Sequence, residues 1–203
     1  MQAWRGSVAL SGFILLLGAG FADGVDVAAA KRAYEQKDYA TALPALRVLA
    51  EQGDPDAQLT VGKMYMIGQG VTPDRDEAAK WFTAAASAGN ADAQFFLGTM
   101  YLLPQKDVGE GLKWLRRSAE QGMQDAQYLL GKTYLQGTKD LSRDPVQGAM
   151  WLQLAAKDNK QFYQDERDAA EKRMTAEEIA KARALAAAWK PKPASKADGN
   201  SRP

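Results

Sequence analysis

Small apolar and aromatic residues recur in phase along the middle of the chain. Three stretches open with Ala-Gln, at Ala57, Ala93 and Ala126, so the openings recur at nearly equal intervals. In a helix of 3.6-residue period, positions five and eight residues after each opening lie near one face. Glycines and tyrosines occupy those positions: Gly62, Gly98, Gly131, Tyr65, Tyr101 and Tyr134. Each stretch is therefore predicted to begin with a helix whose small residues admit a close neighbour.

A second helical pattern follows in each stretch and is centred on a tryptophan. The tryptophans are Trp81, Trp114 and Trp151, and a small residue follows each of them after four positions, on the same helix face. Each repeat is thus predicted to be a pair of antiparallel helices. The interval between repeats is typical of helical-hairpin solenoids, in which one repeat buries its apolar face only when another stacks on it.

The complete order of residues resembles a known family. It reads A-Q-x-x-x-G-x-x-Y, then a loop with G-x-G-V and Asp, then A-x-x-W-x-x-x-A-A-x-x-G. This order resembles the Sel1-like repeats, relatives of the tetratricopeptide repeats, over roughly Ala28 to Trp189. The resemblance implies an all-α fold, a right-handed α-α superhelix of antiparallel helix pairs. It also implies a scaffold or adaptor without enzymatic activity and without a cofactor.

The flanking segments divide the rest of the chain. Thr175 and Glu178 form a predicted capping box for a last helix, and the residues after that helix are proline-rich and polar. We predict a signal peptide at 1–22, a tetratricopeptide-like capping hairpin at 23–53, three repeats within 54–159 (57–92, 93–125 and 126–159), C-terminal capping helices at 160–190 and a disordered tail at 191–203.

The N-terminal segment has the features of a secretory signal. Met1 to Ala22 carries one charge, Arg5, and the span from Gly6 to Ala22 is uncharged and rich in glycine. That span is shorter than the roughly 20 apolar residues that cross a bilayer comfortably. We therefore expect cleavage after Ala22 and export to a bacterial periplasm. The alternative is an uncleaved inner-membrane anchor that holds the repeats on the periplasmic side, and we expect no other membrane contact.

Composition argues against several classes of function. The chain has no cysteine and no histidine, so disulfides, thiolate chemistry and the commonest zinc ligands are absent. The net charge is +1, so the chain does not have the excess of basic residues that nucleic-acid binding requires.

Local motifs that resemble catalytic sites have structural explanations. Acidic residues precede the second helices in a capping pattern, and Gly68 and Gly70 fit a turn better than a phosphate loop. We expect no catalytic site and no metal site.

A binding groove is implied by analogy with the tetratricopeptide repeats. In that arrangement the first helix of each repeat lines the concave face, and the residues three before, one after and four after the helix glycine point into it. We expect this groove to hold an extended or helical segment of a protein partner, with Lys63 and Lys132 meeting its carboxylates or carbonyls. Phe95, Leu102 and Leu135 have an alternative role as core between repeats. The predicted groove comprises Leu59, Phe95, Tyr128, Lys63, Thr99, Lys132, Met66, Leu102 and Leu135.

The predicted core consists of the residue before each helix glycine, the tyrosines and the tryptophans. The residues before the glycines are Val61, Leu97 and Leu130.

Three functions are compatible with these features of the chain. The first is an exported scaffold that binds a protein or peptide, in envelope assembly or signalling. The second is a cell-wall-associated enzyme or the glycan-binding subunit of one, and the third is a structural spacer that has no preferred ligand. We favour the first because the repeats are the dominant feature of the sequence.

Overall fold

The computed structural model describes residues 26–102, 107–139, 141–158 and 160–194, and this part of the chain is all-α. The predicted signal peptide at 1–22 lies outside the described residues, as do residues 195–203 of the predicted tail. Within the described ranges there are ten α-helices and a short 3₁₀ turn. These are α1 (Val27–Glu35), α2 (Tyr39–Glu51), α3 (Pro55–Ile67), α4 (Arg75–Ser87), α5 (Ala91–Leu102), α6 (Val108–Glu120), α7 (Gln124–Gln136), α8 (Pro145–Ala155), the turn Ala156–Asp158, α9 (Gln161–Glu171) and α10 (Ala176–Ala188).

Consecutive helices pack in pairs, and each pair packs against the next. The pairs are α1 with α2, α3 with α4, α5 with α6 and α7 with α8, and the second helix of each pair contacts the first helix of the following pair. We call α1, α3, α5, α7 and α9 the A helices, and α2, α4, α6 and α8 the B helices. The predicted solenoid of antiparallel helix pairs is confirmed.

Acidic side chains begin most of the helices. The Asp54 carboxylate accepts the N–H of Ala57 at 2.7 Å, and Asp107 accepts the N–H of Glu110 at 2.9 Å. Asp74 and Asp144 cap α4 and α8 in the same way. The capping box of Thr175 and Glu178 is also present. These bonds satisfy N–H groups that the first turn of a helix leaves free. The predicted capping role of these carboxylates is therefore confirmed.

Glycines end the helices at the joints between repeats and shape the turn within the first repeat. Gly53, Gly89 and Gly122 have φ of 93°, 100° and 98°. Gly68 and Gly70, at 78° and 71°, give the turn between α3 and α4 its left-handed backbone. The prediction that Gly68 and Gly70 form a turn, and not a phosphate loop, agrees with these positive φ angles.

The two helices of a repeat approach so closely that a methyl group would not fit between them. A Cβ added to Gly98 would lie 3.0 Å from the carbonyl oxygen of Gly111, and one added to Gly131 would lie 2.9 Å from that of Gly148. The recurrent helix glycine thus sets the distance between the helices of a pair.

The core confirms most of the prediction and corrects part of it. The residues before the glycines are buried, with exposures of 2% or less for Val61, Leu97 and Leu130. Trp114 and Trp151 are also buried, at 3% and 5%, whereas Trp81 and the three repeat tyrosines are only half-buried. Trp81 packs against the N-terminal core cluster around Leu46, Leu49 and Val61, but it lacks the cover that Trp189 gives to Trp151.

Of the two C-terminal helices, one continues the solenoid and the other turns back over it. α9 takes the place of another A helix beside α7, whereas α10 packs against α8. Trp189 then lies edge-on to Trp151, with ring centroids 6.5 Å apart. The N–H of Lys192 donates to the carbonyl of Glu120 at 2.8 Å. The last repeat is therefore covered on its B-helix side by the chain itself.

Candidate protein-binding face

The A helices have one face that the B helices leave largely uncovered, although the ring of Phe96 on this face stacks on Phe82 of α4 at 5.1 Å between centroids. In α3, Gly62 points at Phe82 of α4, and Ala57 and Val61 pack towards α1 and α2. Residues that follow the helical period on the opposite side have partly or largely exposed side chains. We call this side the open face. It consists of Asp56, Thr60, Lys63 and Ile67 of α3, Asp92, Phe96 and Thr99 of α5, and Asp125, Leu129, Lys132 and Gln136 of α7.

The first row of predicted groove residues lies at the edge of the open face, between neighbouring repeats. Leu59 is only 8% exposed and belongs to a cluster with residues of the second repeat. Phe95 is half-buried against a core cluster that includes Leu130 and Trp151. Tyr128 is half-buried against α9, where its ring centroid lies 5.1 Å from that of Phe162. This row therefore contributes more to packing than to an accessible surface.

The third row also serves the packing of helices. Leu102 and Leu135 lie over Gly111 and Gly148, so each leucine fills the space that the glycine of its own B helix leaves open. Met66 packs against the same cluster as Leu59. All three side chains are half-buried. The alternative placed Leu102 and Leu135 in the core between repeats, whereas these contacts lie within one repeat.

The middle row, Lys63, Thr99 and Lys132, lies on the open face. The Lys63 ammonium is 5.1 Å from the centroid of the Phe96 ring. The Thr99 hydroxyl donates to the carbonyl of Phe96 at 2.7 Å. The Lys132 ammonium donates to Glu166 Oε2 of α9 at 2.6 Å, and this hydrogen bond raises the pKa of Lys132.

Each of the two lysines reaches the A helix that follows its own, and both contact the equivalent position there. Phe96 lies six residues after the first-turn cap Asn90 of α5, and Glu166 lies six residues after the cap Lys160 of α9. Each lysine therefore contacts the same position of the following A helix. Lys132 finds a carboxylate there, while Lys63 finds an aromatic ring and makes no ion pair within the described part of the chain.

Three large apolar side chains that the sequence pattern did not predict are exposed at the ends of A helices, and the first is Val27 of α1, at 40%. Ile67 ends α3 with 56% of its surface exposed, and Phe162 begins α9 with 55% exposed. Ile67 extends the open face beyond Lys63 by one helical turn. The sequence could have indicated this exposure, because Ile67 lies four residues after Lys63, on the same helix face, and outside the recurrent core positions.

Comparisons with known proteins identify the repeats. A family model described as Sel1 repeat matches residues 55–90, 91–123 and 124–160, which together make up about half of the chain. The chain belongs to the Sel1-repeat family. Sel1-repeat proteins generally mediate protein–protein interactions and are typically non-catalytic. A comparison with curated proteins found no match.

Solved structures share the fold of this Sel1-repeat chain. One is the crystal structure of c5321, a protective antigen of uropathogenic Escherichia coli strains with an SLR fold, at 27% identity and a TM-score of 0.69. That match covers 82% of this chain and 38% of c5321. A Sel1 repeat protein from Oxalobacter formigenes is 29% identical with a TM-score of 0.62, over 67% of this chain and 57% of that protein. The chain thus spans less than two-thirds of either relative.

The glutamine of each Sel1 Ala-Gln opening joins neighbouring repeats. Its side-chain amide donates to a carbonyl near the end of the preceding B helix, eight residues earlier, at 3.0–3.1 Å. These three buried glutamines are Gln58, Gln94 and Gln127. Because the last turn of a helix leaves carbonyls free, a buried amide there stabilises the joint. The sequence showed the recurrence of this residue but not its role.

The described residues of the Sel1 repeats form neither a metal-binding cluster nor a membrane-spanning helix. Among them, no group of three acidic side chains is arranged to hold a metal ion. Within the same ranges, no helix has both the length and the apolar character needed to cross a bilayer.

Proposed function

We propose that this Sel1-repeat chain is a non-catalytic scaffold that binds a segment of another protein on the open face of α3 and α5. The observation that carries the proposal is the contrast between Lys63 and Lys132. Glu166 neutralises Lys132 within the chain, whereas Lys63 remains over Phe96 without a carboxylate. An accessible ammonium beside an aromatic ring can accept both a carboxylate and an apolar group from a partner.

Apolar contact must supply most of the affinity. A single exposed ion pair contributes only about 0.2–1 kcal/mol, which is too little to hold a partner. The exposed side chain of Ile67 and the half-buried side chain of Phe96, whose ring stacks on Phe82, lie on either side of Lys63 along the open face. A partner that covers both would remove apolar area from water and place an acidic side chain at Lys63.

A photo-crosslinking experiment in the producing cell tests this function. A photoreactive residue at Thr60, on the open face, is expected to capture one partner or a few partners in the otherwise unchanged chain. The double variant Lys63→Glu with Ile67→Ser is expected to lose that capture, because it reverses the charge and removes the apolar contact. Lys80→Glu is the matched control, since Lys80 is exposed on the B-helix side, where it pairs with Glu77.

The control decides the interpretation of that experiment. Retention of the same partner by Lys80→Glu and its loss from the double variant would support the open face as the binding surface. Equal capture by the unchanged chain and the double variant would overturn the proposal, provided that both give the same helical circular dichroism.

We propose further that the scaffold acts after export to a bacterial periplasm. The support is the sequence of residues 1–22, with one charge before a short apolar run and small residues at its end. Intact-mass analysis of the chain from fractionated cells is expected to give a mature N-terminus at Asp23. A chain that retains Met1 and sediments with the inner membrane would favour the anchored alternative, and a full-length chain in the cytoplasm would contradict export.

A further inference from the structure

A second surface, separate from the open face, lies on the outer side of α6. An open groove of about 330 Å³ runs along this helix and is lined by Gly109, Leu112, Lys113, Arg116, Arg117 and Glu120. At the end of α6 it continues into a space of about 270 Å³, where Lys192 and Pro193 face Arg117, Glu120 and Gln121. We call the combined space the α6 groove.

Two arginines in the α6 groove lack carboxylate partners. Arg116 donates a hydrogen bond to the hydroxyl of Tyr134, and the guanidinium of Arg117 lies 4.8 Å from the centroid of the Trp114 ring. The other charges of the groove are paired, Lys113 with Glu110 at 2.9 Å and Lys192 with Glu120 at 2.9 Å. Neither arginine forms a salt bridge with an acidic residue in the described ranges, so the groove carries an uncompensated positive charge.

The repeats themselves show that the scaffold does not need these arginines. The positions two and three residues after the repeat tryptophan are Thr83 and Ala84 in α4, and Gln153 and Leu154 in α8. Only the second repeat has arginine at both positions. In the third repeat Leu154 is buried in the core that α10 completes, whereas the outer side of α6 keeps a groove. The arginines therefore modify a surface without being required by the repeat.

We propose that the α6 groove binds an acidic segment of a partner protein. The planar guanidinium groups of Arg116 and Arg117 match carboxylates in bidentate geometry, and their contacts with Tyr134 and Trp114 hold them in place. Gly109 leaves room for a main chain, and half-buried Leu112 offers an apolar contact between the charges. This inference concerns a different face and does not rest on the proposed function.

The small size of the α6 groove and the acidic residues at its ends favour a peptide over a polyanion as its ligand. Glu110 and Glu120 border the arginines along α6, and the whole chain has a net charge of only +1. Nucleic acids and anionic membranes require a longer basic surface to neutralise several phosphates. The tail after residue 194 is a poor occupant, since its charged residues are Lys196, Asp198 and Arg202.

Fluorescence anisotropy with the full chain tests this binding. The probe is a short fluorescein-labelled peptide of glutamates around a central leucine, and the reference peptide has glutamine in place of every glutamate. The double variant Arg116→Gln with Arg117→Gln is expected to bind the acidic probe about tenfold more weakly than the unchanged chain, because two charge-assisted contacts are lost. Arg116→Lys with Arg117→Lys is expected to retain part of the affinity, since it keeps the charge but not the planar fork.

A variant with the same loss of charge elsewhere provides the control. Arg75→Gln with Lys80→Gln removes two positive charges from exposed positions of α4, the equivalent helix of the first repeat. It is expected to bind the probe as the unchanged chain does. Equal weakening by both glutamine pairs would overturn the proposal in favour of non-specific attraction. Equal binding of the glutamine peptide, or stronger binding of phosphatidylglycerol vesicles than of the peptide, would also overturn it.

Discussion

The first and third repeats have the same plan but different surroundings. Lys63 and Lys132 are equivalent, as are Trp81 and Trp151, yet only Lys132 is ion-paired and only Trp151 is buried. α9 supplies a carboxylate to Lys132, and Trp189 covers Trp151. The comparison shows that the repeat determines where a side chain lies, while neighbouring segments determine whether it stays accessible.

The end segments account for this difference. In the third repeat α10 adds Ala182 and Ala186 to the core, and Trp189 reaches the joint at Gly122. The first repeat meets α1 and α2, whose buried residues include several alanines. Both core clusters are rich in alanine, so the difference lies in Trp189, which packs against Trp151. Trp81 is accordingly half-buried where Trp151 is buried.

Removing the repeat tryptophans should give the largest effect and test this difference directly. Trp151→Ala is expected to lower the free energy of unfolding by about 3–5 kcal/mol, because a buried ring leaves a cavity. Trp81→Ala should cost about 1–3 kcal/mol, since its half-buried ring leaves a smaller one. Urea unfolding followed by circular dichroism measures both values. Equal losses would contradict the unequal enclosure of the two repeats.

Closing the space between paired helices should have the next largest effect. Gly131→Ala places a methyl group 2.9 Å from the carbonyl oxygen of Gly148, which belongs to the backbone and cannot rotate away. We expect a loss of about 1–3 kcal/mol in the free energy of unfolding. Gly109→Ala is the control, because its Cβ meets only the Asp107 carboxylate at 3.4 Å. That control should gain up to about 1 kcal/mol from helix propensity, and a loss there would undermine the steric explanation.

Breaking the ion pair on the open face should have a smaller effect. Lys132→Gln is expected to cost about 1 kcal/mol, because its side chain and that of Glu166 are each about two-thirds buried. Lys63→Gln should cost less than about 0.5 kcal/mol, since only its contact with Phe96 is lost. A double-mutant cycle with Glu166→Gln isolates the pair energy. A coupling near zero would show that Lys132 is as available to a partner as Lys63.

Alkaline pH should weaken the joint between α7 and α9. Burial, followed by the hydrogen bond to Asp125, raises the pKa of Tyr163 to about 12 from its usual 10.0. A raised pKa in the folded state favours the protonated form, so this contribution is complete below pH 10 and declines as the pH rises from 10 towards 12. Lys132, whose pKa is also raised by Glu166, acts in the same direction.

The measurement is the free energy of unfolding as a function of alkaline pH. Tyr163→Phe is expected to give a shallower decline between pH 10 and 12 than the unchanged chain, since phenylalanine does not ionise. An identical decline in both chains would show that Tyr163 does not couple folding to pH.

Much of the architecture followed from local patterns. The Ala-Gln openings, helix glycines and repeat tryptophans predicted the paired helices, and the acidic caps and turn glycines predicted their limits. The predicted groove is less complete. Position relative to Gly62 located Lys63 on the open face, but the same rule included Leu59, which is enclosed by the next repeat. A helical period alone does not tell which side a neighbouring repeat will cover.

The sequence by itself determined the helical pairs, their order and their close approach at glycine, because these depend on residues within one turn or one repeat of each other. Only the tertiary structure decided which of the equivalent side chains remain accessible. Glu166 pairs with Lys132 from the following A helix, and Trp189 covers Trp151 from the far end of α10. The first contact depends on which residue α9 brings to the position that Phe96 has on α5, and the second on how α10 turns back over α8. The period of the repeat carries no information on either.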